Sequence, residues 1–197
     1  MTTPSWLVVL GSSAGDLISH LGWSPPIRST ALMELRRGVT GNPNPWIDAT
    51  GIEPPSLTEL LQCWPANIQQ KWFASLYLVK PLVLGSLVLF WLASGLIALT
   101  VSFGAATAVL TSHGFRSAPA HAVTIISSSI DILIGLGIAT RKSCRAALLT
   151  GICVSIFYMV GAAVITPDLW IEPLGALVKT IPATVLMLVA LVVLEDR

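Results

Sequence analysis

The chain has 197 residues, 54% of them apolar and only 11% charged, with a formal net charge of +1. An ordinary soluble domain carries about a quarter charged residues, so this composition, with a mean hydropathy of +0.79, argues against a soluble globular protein and for a membrane class. A charge near zero without a clustered basic face gives no reason to expect nucleic acid. Cys63, Cys144 and Cys153 show no C-x-x-C or Cys/His spacing, so neither a disulfide frame nor a zinc site is expected.

The first ten residues lack a basic n-region, a long apolar core and a small-residue cleavage site, so insertion is expected to be directed by a later, uncleaved helix. Leu7–Gly22 reads L-V-V-L-G-S-S-A-G-D-L-I-S-H-L-G. A short β-prone run ahead of Gly11 and Gly15 invites comparison with a dinucleotide-binding turn. The glycine spacing is wrong for that fingerprint, and Gly22-Trp23-Ser24-Pro25-Pro26 breaks the chain where a second strand should follow. A helix-and-loop fragment is the expected structure.

Thr30–Arg37 suits a helical turn or two, and Gly38–Ile52, containing N-P-N-P, suits a loop. Ser56-Leu57-Thr58-Glu59 has capping-box spacing and opens a short helix. Pro65–Tyr77 suits an amphipathic helix whose Trp72, Phe73 and Tyr77 approach a membrane interface.

Composition breaks near Tyr77. Residues 1–76 hold most of the prolines and five of the seven tryptophans. Beyond them, four runs reach the roughly 20 residues needed to cross about 30 Å of hydrocarbon. They are Pro81–Phe103, Ala118–Thr140 (interrupted by Asp131), Ala146–Thr166 and Leu174–Leu194 (interrupted by Lys179). None alternates with period 2, so helices are favoured over barrel strands. Gly104–Phe115 between the first two runs suits a short interfacial helix. The expected fold class is therefore all-α: an antiparallel four-transmembrane-helix bundle with a small, mostly helical or irregular N-terminal extension. Gly85/Ser86, Ser94/Gly95, Gly135/Gly137, Gly151/Ser155 and Gly161 supply small surfaces for close helix approach.

Orientation follows from the basic residues. Arg141, Lys142 and Arg145 cluster between the second and third runs, and that loop is assigned to the cytoplasm. Alternation then puts both termini inside, with Arg28, Arg36, Arg37, Lys71 and Lys80 on the same side. Pro167–Pro173, with Asp168, Glu172 and the interfacial Trp170, falls outside. The expected location is the cytoplasmic (inner) membrane, as a multi-pass protein.

Asp131 is the residue most in need of explanation, because a carboxylate in mid-membrane costs several kcal/mol unless paired or solvated. Ser128, Ser127 and Thr124 share its helix face, with His121 on the edge, giving a polar stripe toward the outer side. Lys179 is the expected partner, although rise per residue leaves the two about 10 Å apart in depth. Such a pair either registers two helices or handles a proton, an ion or a small ligand; without a pair, Lys179 snorkels outward and Asp131 is protonated or hydrated. His113 and His121 flank the outer loop without a third ligand at metal spacing, so no metal site is expected. No catalytic triad, phosphate-binding loop or carboxylate pair is visible.

Trp72–Leu99, the Asp131-containing S-S-S-I-D-I-L-I-G-L-G and the ending Asp168–Pro182 resemble a DoxX-like membrane domain. More specifically, the chain resembles the version found behind atypical short-chain dehydrogenase or NAD-dependent epimerase-like domains. Leu21–Leu32 and Arg36–Pro43 resemble the C-terminal end of such a reductase domain. The resemblance implies a cytoplasmic extension over 1–76, a four-helix membrane domain over 77–197, and a role anchoring or partnering a redox enzyme. The nucleotide-binding half is not in this sequence, and neither Tyr77 nor Tyr158 is followed four residues later by lysine. No catalytic residue and no cofactor is therefore carried over; quinone contact is compatible with the resemblance, but no residue demands it. The expected partners are the lipid bilayer and a reductase domain or subunit, and self-association is compatible with so small a bundle. The competing expectation is a small bundle transporting protons, ions or a lipophilic ligand through Asp131 and Lys179.

Overall fold

The computed structural model describes residues 4–38, 41–65, 67–77, 79–171 and 177–194, and all its regular elements are helical. The chain forms two compact units, Met1–Tyr77 and Leu78–Arg197.

In the first unit, α1 (Ser5–His20) runs straight through Leu7–Gly15. The β-prone run is thus helical, and no strand-turn-helix exists there to receive a dinucleotide. Gly15 has a packing role instead: a Cβ at that position would run into the carbonyl oxygen of Ile27. The close approach lets Asp16 accept from the Ser29 backbone N–H at 3.3 Å and face the Arg28 guanidinium at 3.6 Å, joining α1 to α2 (Ser29–Arg37). Hydrogen bonding from Ser29, reinforced by Arg28, holds the Asp16 carboxyl below its ordinary range.

The expected loop over 38–52 contains a helix, α3 (Asn44–Thr50). Pro45 falls in its first turn, where a missing N–H costs nothing, and Gly51 closes it at φ 67°. The capping box at Ser56 forms as expected, with Glu59 Oε2 accepting from the Ser56 N–H at 2.8 Å, and opens α4 (Leu57–Cys63). A second box, Asn67 with Gln70, opens α5 (Ile68–Leu76). Trp72 and Phe73 on α5 are exposed.

Among the described residues of the second unit, three helices are long and apolar enough to cross a membrane: the one containing α6 (Val79–Leu99), α8 (Ser117–Ala139) and α9 (Cys144–Ile165). Between α6 and α8 lies the expected short helix, α7 (Phe103–Ser112). The last apolar run differs from expectation. Its described helix, α10, is Thr180–Leu194, which at 1.5 Å per residue spans only about 22 Å. Residues 177–179 are a turn, and residues 174–176 lie outside the described residues.

Packing runs α6 on α8, α8 on α9, α9 on α10 and α10 on α6, with α7 against α8. Glycines set the closest approach. A Cβ at Gly95 would fall 2.6 Å from the Ser128 carbonyl oxygen, and one at Gly135 2.8 Å from Leu92. Gly137 meets Ala147 and Gly151 meets Trp91, Ile134 and Met187 in the same way. Gly85 and Gly161 instead face open space, so those two small surfaces are not used for packing within the chain. Leu87, Trp91, Ile138, Leu148 and Met187 fill the interior, while Leu89, Leu133, Phe157, Val164 and Val192 point outward as an apolar coat. Cys144 is buried, whereas Cys63 and Cys153 are exposed.

The two ends of the unit are tied by polar contacts. The Lys80 ammonium donates to the Val193 carbonyl at 2.9 Å, capping the C-terminal end of α10 with a cation. At the opposite end His113, after α7, faces Asp168 at 3.5 Å in the 3-10 turn Pro167–Trp170. At the end nearer Lys80, the α8–α9 connection is held by Thr140 and Ser143, whose hydroxyls bond each other while Ser143 donates to the Gly137 carbonyl at 2.8 Å.

The glycine geometry predicts opposite outcomes at two similar positions. Gly95→Ala should destabilise the detergent-solubilised protein by about 1–3 kcal/mol, because the added methyl meets backbone. Gly85→Ala should be neutral or gain up to about 1 kcal/mol from helix propensity. Chemical unfolding in micelles measures both.

Candidate functional site

The site centres on Asp131, which is 7% exposed in the interior of α8. Lipid cannot solvate its carboxylate, so protein groups must. Tyr158 of α9 donates its phenol O–H to Oδ1 at 3.1 Å, and Ser94 of α6 donates to Oδ2 at 3.3 Å. One carboxylate therefore joins three helices. The Tyr158 hydroxyl also lies 3.3 Å from the Ser127 carbonyl oxygen, which holds it at the α8 surface.

The local sequence explains the convergence. Ser94 precedes Gly95, whose missing side chain brings α6 onto the 128–132 segment of α8. Tyr158 lies seven residues after Gly151, two helical turns along the face that α9 turns toward α6 and α8.

The expected stripe divides. Thr124 and Ser128 are buried beside Asp131 on α8, while Ser127 is half-buried. Thr124 donates to the Ala120 carbonyl at 2.9 Å and Ser127 to the Thr124 carbonyl at 3.2 Å, so both hydroxyls satisfy their own helix. Ser128 Oγ makes no hydrogen bond among the described residues. His121 is exposed and stacks on Phe103 with ring centroids 5.5 Å apart. Lys179 is also exposed and, among the described residues, forms no ion pair with Asp131. The carboxylate finds hydroxyls instead of the ammonium, because Tyr158 and Ser94 lie at its own level.

Two partners, Tyr158 and Ser94, were missed by sequence reasoning. Tyr158 carried a usable signal, a phenol within an apolar span that needs an acceptor. Ser94 was identified only as a small packing residue. Two more buried polar groups, the Ser155 hydroxyl of α9 and the Trp91 indole N–H of α6, exposed by 1% and 2%, have no partner among the described residues.

Among the described residues, no three His, Cys, Asp or Glu side chains group as metal ligands. His113 is committed through Nδ1 to the Val109 carbonyl at 2.8 Å. An open apolar groove of about 350 Å³ runs between α8 and α9, lined by Leu133, Gly137, Ala147 and Thr150 among others. Its lining is apolar apart from the Ser143 and Thr150 hydroxyls.

A double-mutant cycle of Tyr158→Phe and Asp131→Asn, read by unfolding in micelles, should give a coupling near 0.6 kcal/mol and at most about 1.7, as for hydrogen bonds inside membranes. Zero coupling would mean that the phenol and carboxylate act independently.

A model of the DoxX-like family matches residues 88–188. The match takes in the second half of α6, all of α7 to α9 and most of α10, and so contains Ser94, Asp131 and Tyr158. Nothing among the curated proteins and nothing among the solved structures matches the chain. The chain belongs to the DoxX-like family, and it is a multi-pass membrane protein.

Proposed function

We propose that this DoxX-like protein is an integral membrane module that anchors or partners a redox enzyme of the short-chain dehydrogenase or epimerase-like kind, without catalysis of its own. The observation that carries the reading is the division of the chain. The unit Leu78–Arg197 carries the apolar helices, whereas Met1–Tyr77 forms separate, mostly exposed helices whose sequence resembles a reductase C-terminus. In this reading the apolar run Leu174–Leu194, whose described helix is α10, is the fourth membrane span of an antiparallel four-helix bundle. Both termini lie in the cytoplasm, following the basic loop Arg141–Arg145.

The experiment is purification of the full chain from its own membranes in mild detergent, with NAD(P)H oxidation assayed using a water-soluble quinone as acceptor. Nucleotide-dependent reductase activity should co-elute with the chain and disappear when residues 1–76 are deleted. A preparation with no activity above a mock purification would remove the redox assignment.

A second reading is favoured by the burial of Asp131 with Tyr158 and Ser94: a bundle that carries protons, ions or a lipophilic ligand. Asp131 would be its central group and Lys179 a residue at the outer rim. Asp131→Asn should then lower ion flux at least about tenfold in reconstituted vesicles, given the cost of altering an intramembrane carboxylate. Unchanged flux would eliminate this reading.

A further inference from the structure

Buried hydroxyls in a membrane helix ordinarily donate to a carbonyl of the preceding turn. Thr107 does so to Gly104 at 3.0 Å, Thr124 to Ala120 at 2.9 Å and Thr166 to Ala162 at 3.5 Å. Ser128 and Ser155, each 1% exposed, are the described buried hydroxyls of this unit that do not. Their shared position gives the exception meaning.

The helix register puts them beside Asp131. Ser128 is three residues before Asp131 on α8. On α9, Ser155 lies four residues after Gly151, which abuts Trp91 and Ile134, and three before Tyr158, which reaches Asp131. Ser155 thus occupies the same face of α9, between those two contacts. Gly95 brings α6 to the same level, since a Cβ there would lie 3.1 Å from Asp131 Cβ, and Ser94 is its neighbour. The region around Asp131, across three helices, therefore contains a carboxylate and four hydroxyls (Ser94, Ser128, Ser155 and Tyr158), of which Ser128 and Ser155 have no partner among the described residues.

That region has oxygen ligands and one formal negative charge. Among the described residues no Lys or Arg pairs with the carboxylate; its partners are neutral hydroxyls. We propose that the region is a binding site for a single small monovalent cation, Na⁺, held by Asp131, Ser94, Ser128 and Ser155. Hard cations take oxygen ligands, and one carboxylate neutralises one positive charge, which disfavours a divalent ion. The helices approach so closely that glycine is required at position 95, which favours Na⁺ over the larger K⁺. The hydroxyls accept the cation through their lone pairs.

The proposal concerns the Asp131 region and not a redox partner, so it stands or falls separately from the anchoring role. It supplies the cargo class for the ion-carrying reading, yet binding without transport would leave the site intact.

The test is thermal unfolding of the purified full chain in detergent at neutral pH, titrated with NaCl, KCl or choline chloride at matched ionic strength. NaCl should raise Tm by several degrees along a saturating curve, well above the other two salts, because a ligand that binds only the folded state stabilises it. Asp131→Asn should abolish the Na⁺-specific rise, and Ser155→Ala should move its midpoint upward about tenfold through loss of one ligand. Asp168→Asn, which alters an exposed carboxylate in the 3-10 turn, should leave the rise unchanged. Identical melting in the three salts, or a Na⁺ response that survives Asp131→Asn, would overturn the proposal.

Discussion

Inside a bilayer the hydrophobic effect does not pull helices together, because lipid tails are as apolar as leucine. The membrane unit depends instead on the close approach of α6 and α8. Gly95 and Gly135, each lacking a Cβ, face the opposite backbone or Leu92 at distances no larger residue could accept without movement. Once these two helices are in contact, Ser94 lies within reach of Asp131, Trp91 sits under Gly151, and α9 brings Tyr158 to the same carboxylate. Dispersion contacts and hydrogen bonds then reinforce each other, since both need the same spacing.

Asp131 is satisfied without a described countercharge. An Asp–Lys ion pair would neutralise both groups but would cost the desolvation of two charges. Two hydroxyl donors require only local alignment and leave Lys179 at the exposed rim, where its ammonium can remain hydrated. Among the described residues, neutral donors alone therefore hold the carboxylate.

The sequence revealed the membrane helices because hydropathy over about 20 residues is a one-dimensional signal. The ends of α8 and α9 fall within two residues of the apolar runs that announced them. The Ser56 capping box was equally readable, being contained within four residues. α3 was missed because N-P-N-P reads as a loop breaker, although proline in a first turn gives up no hydrogen bond. The site was legible in part. Asp131 stood out by charge, and Ser128 and Thr124 by helical spacing, but its partners came from other helices. Matching Asp131 to Lys179 used opposite charge and depth; the choice of Tyr158 and Ser94 depends on which helix faces contact, a property set by Gly95 and Gly151 in three dimensions.

The Lys80–Val193 contact has a consequence for assembly in time. It joins positions 113 residues apart, linking the start of α6 to the end of α10. A ribosome delivers α6 long before α10, so during synthesis the Lys80 ammonium has no α10 terminus to cap. The α6–α8 pair and then α9 can settle first, leaving one flank of α6 open to lipid. Arrival of α10 covers that flank and gives the cation its carbonyl in the same event. The contact therefore cannot form until residue 193 has been delivered, later than either hydroxyl partner of Asp131.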